Sequence, residues 1–232
     1  MIAAIRSLML PLLWAGFSSD VPILSAQQVP LTAATPAAFV PAGWHLEHRS
    51  VGDLNGDQRP DQALVLLAPT PSLTSQGLRP DRPRVLLVLL AQPQGGWRRV
   101  ALAQRLLRCP DCFGSLGPGT PDVTIARGLL QVEQEYGSGY YCTQLQRLRY
   151  EPTTGRLRLI GEECYSADRV GKALVAVSTN LLTGQQTIEQ TTKRAEAPGI
   201  KHHRAVKVPK IYAEDLTSDG DSPSWWPAEL EG

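Results

Sequence analysis

The residues Asp53-Leu-Asn55-Gly-Asp57-Gln-Arg59-Pro-Asp61 place side-chain oxygens at strictly alternate positions. A turn with oxygens at its first, third and fifth places can wrap a hard cation, and calcium takes roughly six to eight oxygen ligands. Asp53, Asn55 and Asp57 would supply side chains, Arg59 its carbonyl, and Asp61 the ninth place. The spacing therefore predicts one structural calcium turn. The same residues also read as an Asx-rich turn whose side chains accept backbone N–H groups with no metal. Gln58 stands where the sharp turn calls for glycine, and Leu64 where an EF-hand carries its bidentate Glu, which excludes the helix-flanked form.

The cysteines are the second reactive set: Cys109, Cys112, Cys142 and Cys164. An even number in an exported chain predicts disulfides, with three pairings open. Cys142 and Cys164 lie on consecutive strands around a turn at 152–155. The apolar register that sets Tyr150 against Leu157 and Leu148 against Leu159 leaves them one residue out of step, which a bulge near Gly161 would repair. Cys109 and Cys112 would then close on each other across Pro110-Asp111. A redox Cys-x-x-Cys is the sharper alternative, but it wants a helix start after a strand to lower a thiol pKa, and Pro and Gly follow here. A four-thiolate zinc site is disfavoured in an oxidising compartment.

Other constellations carry less. His45 and His48, three residues apart on a strand, point to opposite faces. Gly114 to Gly119 has the glycine content of a phosphate loop without its Lys-Ser/Thr ending. Gly137-Ser-Gly139 joins a hairpin and does not lead a serine into a helix. Tyr136, Tyr140, Tyr141, Tyr150 and Tyr165 cluster around one hairpin, where they serve either a carbohydrate or peptide surface or packing on the sheet.

The elements that must position these groups are strands. Short apolar or alternating runs separated by Gly, Pro and Asn turns predict strands over 44–48, 62–68, 84–91, 97–103, 122–127, 129–136, 140–151, 156–163, 173–180 and 185–192, with another near Val206. The fold class is mainly β: an antiparallel meander of short strands, as a curled sheet, a sandwich or a partial propeller-like arrangement. Residues 69–83, with four prolines, form a long loop.

The run Val51-Gly-Asp-Leu-Asn-Gly-Asp-Gln-Arg-Pro-Asp-Gln-Ala-Leu-Val65 resembles the FG-GAP or VCBS type repeat of integrin α-subunit propellers and many secreted bacterial proteins. The resemblance implies an acidic loop joining two strands of a β-blade and holding calcium through Asp53, Asn55, Asp57 and Asp61. It departs at Gln58. One copy is present, whereas a closed propeller needs several blades, so the chain looks more like small exported bacterial proteins that open on one such motif.

Composition bounds the role. Arg6 followed by the short apolar run from Leu8 to Phe17 reads as an export signal over 1–26, too short to span a bilayer and interrupted by Pro11. Residues 27–42, rich in Pro, Ala and Thr, read as a flexible linker, 43–212 as the β domain, and 213–232 as a loose acidic tail in which Trp225-Trp226 either docks or mediates contact. A net charge of +1 with no long basic run argues against nucleic acid. The expectation is a periplasmic or extracellular, non-catalytic module with a protein or carbohydrate ligand and no stable membrane span after signal cleavage. An extracytoplasmic enzyme, or a thiol-redox protein using Cys109 and Cys112, is the alternative.

Overall fold

The computed structural model describes residues 24, 27–70, 73, 81–110, 112, 119–137, 140–168, 173–192, 199–218 and 225–227. Expectations for the export signal, the glycine-rich run after Cys112, the Ser138-Gly139 turn, and much of the loop 69–83 and the acidic tail lie outside the described residues.

Alternating and continuous apolar runs produce strands β1 Thr32–Ala33, β2 His45–Gly52, β3 Asp61–Leu67, β4 Arg84–Ala91, β5 Trp97–Ala103 and β6 Asp122–Ala126. Then follow β7 Leu129–Gly137, β8 Tyr140–Glu151, β9 Arg156–Asp168, β10 Ala173–Asn180, β11 Gln185–Thr192 and β12 Ile200–Ala205. They form two antiparallel sheets, a five-stranded one in the order β1-β5-β4-β3-β2 and a seven-stranded one running β12 to β6, and neither closes into a barrel. The expected strand near Val206 is β12, which ends one residue before it.

Local chemistry sets the hairpins. Arg127 and Gly128 both take positive φ, 54° and 73°, the twist that a two-residue hairpin loop between right-twisted strands requires. Two loops repeat one solution: Gly155 donates its N–H to the Glu151 carbonyl and Gly184 donates to that of Asn180, both at 2.8 Å. In β9 an extra residue, Ile160, breaks the register between Leu148↔Leu159 and Arg147↔Gly161. The backbone groups it frees are used elsewhere, with Leu159 N–H donating to Ile211 O at 2.9 Å and Leu181 N–H donating to Ile160 O at 3.0 Å.

β3 and β4 are apolar on both faces, so both faces must be covered. One face, with Ala63, Val65, Leu86, Val88 and Leu90, packs with Val123, Leu130, Val132, Leu148, Leu157 and Leu159 of the seven-stranded sheet. Gly52 lies at a close approach between the sheets, where a Cβ would sit 2.7 Å from the Ile125 carbonyl oxygen. The opposite face, with Leu64, Leu66, Val85, Leu87 and Leu89, packs under Leu24, Val29 and Phe39, with Val40 and Trp44 beside them.

That second core corrects the linker expectation for 27–42. The prolines that break regular structure also start a 3-10 turn, Pro36–Phe39, that drives Phe39 into the sheet, and β1 pairs with β5 in the same stretch. Loop-like composition conceals two buried apolar anchors, Val29 and Phe39, among prolines and alanines. The loose-tail expectation for 213–232 is corrected in the same way at its described residues, since Ala213, Leu216 and Trp225 are buried in the main core.

Phe39→Ala should lower unfolding free energy by about 3–5 kcal/mol, the usual cost of deleting a buried aromatic ring. Urea unfolding of the variant against the wild type measures it, and a loss within error would mean that 27–42 is not part of the fold.

Candidate functional site

The acidic turn joins β2 to β3. Asp53 Oδ1 accepts from Gly56 N–H at 2.7 Å and Asp57 N–H at 3.2 Å, and its Oδ2 accepts from Gln58 N–H at 2.8 Å. Asn55 Oδ1 accepts from Asp57 N–H at 3.1 Å, and Asp57 Oδ1 accepts from Arg59 N–H at 2.9 Å. These are the Asx-turn bonds that short carboxylates and amides make with their own backbone. Gln58 adopts φ 66°, the left-handed conformation that glycine takes more cheaply, and its N–H bond to Asp53 helps hold it there.

Two residues of the predicted ligand set are committed elsewhere. Asp57 Oδ2 accepts both from Asn55 Nδ2 at 2.9 Å and from the Arg59 guanidinium, so its counter-charge comes from the chain itself. The Arg59 N–H bond, the largest cause, with the Asn55 and Arg59 side chains, holds the Asp57 carboxyl below its ordinary pKa. Asp61 is fully buried: Oδ2 accepts from Leu54 N–H and Oδ1 from Ala91 N–H, both at 2.9 Å. Its carboxylate thus ties the turn, β3 and the end of β4 together. Among the described residues, the carboxylates of Asp53, Asp57 and Asp61 do not form a group whose ligand atoms all lie within 4.8 Å of one another. As it stands the loop is a hydrogen-bonded Asx-rich turn, with the Asp57 charge met by Arg59 and both Asp61 oxygens met by backbone N–H groups.

Asp81, Cys109 and Cys112 do bring one ligand atom each within 4.8 Å of one another. Cys109 and Cys112 are joined as a disulfide, with Cα atoms 5.3 Å apart, so their sulfurs are not thiolate donors. The expected bridge between Cys142 and Cys164 is absent, and both are thiols. The bulge forms beside Gly161 as expected, but the extra residue lies on β9, so the offset grows from one residue to two: Cys142 faces Ser166 and Cys164 faces Gln144. An offset of two keeps both side chains on one face as diagonal neighbours.

Around them is a polar cluster that no sequence motif had signalled. Glu162 is buried, and its Oε1 accepts from Gln144 Nε2 at 2.7 Å and Gln146 Nε2 at 3.0 Å. Its Oε2 accepts from the indole N–H groups of Trp225 and Trp226, each at 2.7 Å. Gln186 donates to Thr179 Oγ1 and to the Trp225 carbonyl at 2.8 Å each, and accepts from Arg204 at 2.6 Å. Trp225-Trp226 therefore docks on the body, and the Glu162 carboxylate is its receptor. One signal was available: Gln144 and Gln146 share the inward parity of Leu148, a position where an unpaired amide would be costly.

At the far end of the sheet, Arg108 stacks its guanidinium 3.5 Å from the centroid of Tyr136, while its backbone N–H donates to Gln134 Oε1 at 2.8 Å. The crossing chain at Arg108 is gripped by Arg84, which is buried, forms a two-bond pair with Glu47 at 2.6 and 2.7 Å, and donates to the carbonyls of Arg108 and Gly119 at 3.1 Å. Glu47 is the bulged residue between Leu46 and His48 of β2. That bulge also alters the expected opposition of His45 and His48, and His48 Nε2 lies 2.9 Å from the Val123 carbonyl oxygen.

Comparison with known protein families, curated proteins and solved structures finds no match. The geometry alone must carry the functional reading.

Burial, opposed by the Leu54 and Ala91 N–H bonds, raises the Asp61 carboxyl above its ordinary value of 3.8. A carboxyl whose folded pKa is raised binds its proton more tightly in the folded state, so its contribution to stability falls as pH rises from 3.8 through the folded value. The stability of the wild type relative to Asp61→Asn should therefore grow as pH is lowered through that window. At neutral pH Asp61→Asn should still cost about 1–3 kcal/mol, because an amide nitrogen cannot accept one of the two N–H groups. Urea unfolding of both proteins from pH 7 to 3 measures the trend, and a pH-independent difference would contradict it.

Proposed function

We propose that the protein is an exported, non-catalytic module that binds a polysaccharide on the outer face of its seven-stranded sheet and uses the acidic turn as a cation-independent strand junction. The observation that carries the non-catalytic part is the fate of the buried carboxylates. Asp61 and Glu162 each have both oxygens occupied by N–H donors of the fold itself. No buried acid or base in this set is presented to a substrate, in contrast to the poised titratable groups of an active site.

The binding part rests on the face turned away from the five-stranded sheet. Tyr141 and Tyr165, on neighbouring strands, lie with ring centroids 6.2 Å apart and planes tilted by 42°. Tyr165, on the central strand of the seven, is 40% exposed. Thr143 opposes Tyr165, and Glu163, paired with Arg147, shares the same face through Ser178. Ring faces flanked by hydroxyl and carboxylate groups suit a sugar chain, which offers C–H surfaces and hydroxyls together. The disulfide Cys109–Cys112 supports the extracytoplasmic part of the proposal.

Two measurements test it. In pull-down on insoluble cellulose, chitin and peptidoglycan, the wild type should be retained by at least one, and Tyr141→Ala/Tyr165→Ala should lose roughly tenfold in affinity, about 1.4 kcal/mol. Equal retention of both proteins, or none of either, would overturn the binding surface. The thermal midpoint should be the same in millimolar calcium and in chelator, and a calcium-dependent rise would restore the metal reading of the turn.

A further inference from the structure

Cys142 and Cys164 form a built thiol site. The β9 bulge puts them on one face as diagonal neighbours, and their side chains hydrogen-bond to each other. Their surroundings differ. Cys164 is buried, 3% exposed, between Gln144 across the β8 ladder and Val177 across the β10 ladder. Cys142 is half-buried and also hydrogen-bonds to Tyr136, the ring over which Arg108 stacks. Among the described residues, the groups that act most on Cys142 are Tyr136 on β7, Cys164 and Glu162 on β9, and Arg108 on the crossing segment. We infer that Cys142 and Cys164 are an exchange-competent dithiol, Cys142 the attacking sulfur and Cys164 the resolving one, whose oxidant is a low-molecular-weight disulfide.

The electron balance is simple. The Cys142 thiolate attacks one sulfur of the disulfide RSSR, forming a mixed disulfide and expelling RS⁻, which takes up a proton. The Cys164 sulfur, losing its own proton, then displaces the second RS⁻ from Cys142. Two protein thiols are oxidised to one disulfide, and RSSR is reduced to two RSH.

The environment divides these roles. The hydrogen bond from Cys164, the largest cause, with that from Tyr136 and the Arg108 charge, lowers the Cys142 thiol pKa against the opposing effects of burial and Glu162. The same contact and burial raise the Cys164 thiol. Attack is governed by thiolate character and access, and both favour Cys142. The hydrogen bond between the two side chains, and not the diagonal placement alone, keeps the second sulfur beside the first.

The test uses the full chain with Cys109–Cys112 intact, equilibrated in glutathione buffers, quenched and mapped by peptide mass. A Cys142–Cys164 bond should form as the ratio of disulfide to thiol rises and revert when it falls. In Cys164→Ser, a glutathione adduct should accumulate on Cys142 to roughly tenfold above that on Cys164 in Cys142→Ser. Native labelling of the wild type with a maleimide gives the order without any substitution, and should mark Cys142 first. Survival of both thiols in the most oxidising buffer, equal adducts in the two variants, or equal labelling would overturn the assignment. Polysaccharide retention of the same samples reads the binding surface separately.

Discussion

A five-stranded sheet cannot cover a seven-stranded one, and much of the structure follows from that inequality. The shared core runs through β6 to β9, where Val123, Leu130, Val132, Leu148, Leu157 and Leu159 meet the apolar face of β3 and β4. Farther across the larger sheet Gln144, Gln146, Glu162, Thr179 and Gln186 are buried among fewer apolar neighbours such as Val177 and Ile188. Those groups have no apolar partner sheet above them, and buried without hydrogen bonds each would cost a few kcal/mol, on the order of ~1–3. Trp225 and Trp226 supply partners for Glu162 and Gln186, so the C-terminal segment serves both as an apolar lid and as a set of donors and acceptors. A lid that is satisfied at each of these polar contacts specifies one position on the sheet, whereas a purely apolar lid could slide.

The smaller sheet has the opposite problem. Its central strands are apolar on both faces, and the N-terminal segment supplies a third layer through Val29 and Phe39. Each such side chain buried adds roughly 1.5–3 kcal/mol. Polar anchors then fix what apolar packing leaves loose. Asp61 holds the β2–β3 turn to β4, and the Arg84–Glu47 pair holds the crossing segment at Arg108 and Gly119. A buried ion pair is poor evidence of net stability, because desolvation offsets much of its attraction. Arg84 is informative for a different reason: its remaining donors go to two separate carbonyls, and so it determines where the chain crosses between sheets.

The strands were legible because they obey local rules. Arg84–Ala91, Trp97–Ala103, Tyr140–Glu151, Ala173–Asn180 and Gln185–Thr192 have the bounds that periodicity and turn chemistry predict. The pairs Tyr150↔Leu157 and Leu148↔Leu159 follow from apolar parity across one short turn. What was not legible depends on long-range partners. Phe39 and Trp225 lie in segments of linker-like composition, and only the size of the faces they cover explains their burial. The unbroken run Val85 to Leu90 did carry a hint, since a strand apolar on both faces needs two covers and the hairpins supply only one. The acidic turn was legible as an Asx-rich turn, but the partner of Asp57 was not. Arg59 entered that reading through its carbonyl, whereas in the structure its guanidinium also pairs with the Asp57 carboxylate.

One inserted residue separates two different cysteine chemistries. Because side-chain direction alternates along a strand, an offset of one would leave Cys142 and Cys164 on opposite faces, where no rotation of the side chains could join them. Ile160 adds one residue to β9 and makes the offset two. The sulfurs then share a face without being directly opposed, and the diagonal leaves Cys142 half-buried beside Tyr136 while Cys164 sits deeper, two residues along β9 from Glu162. A directly opposed pair would have placed both sulfurs at one level of the ladder. The bulge therefore creates an asymmetry between two chemically identical groups, and that asymmetry is what an attacking and a resolving thiol require.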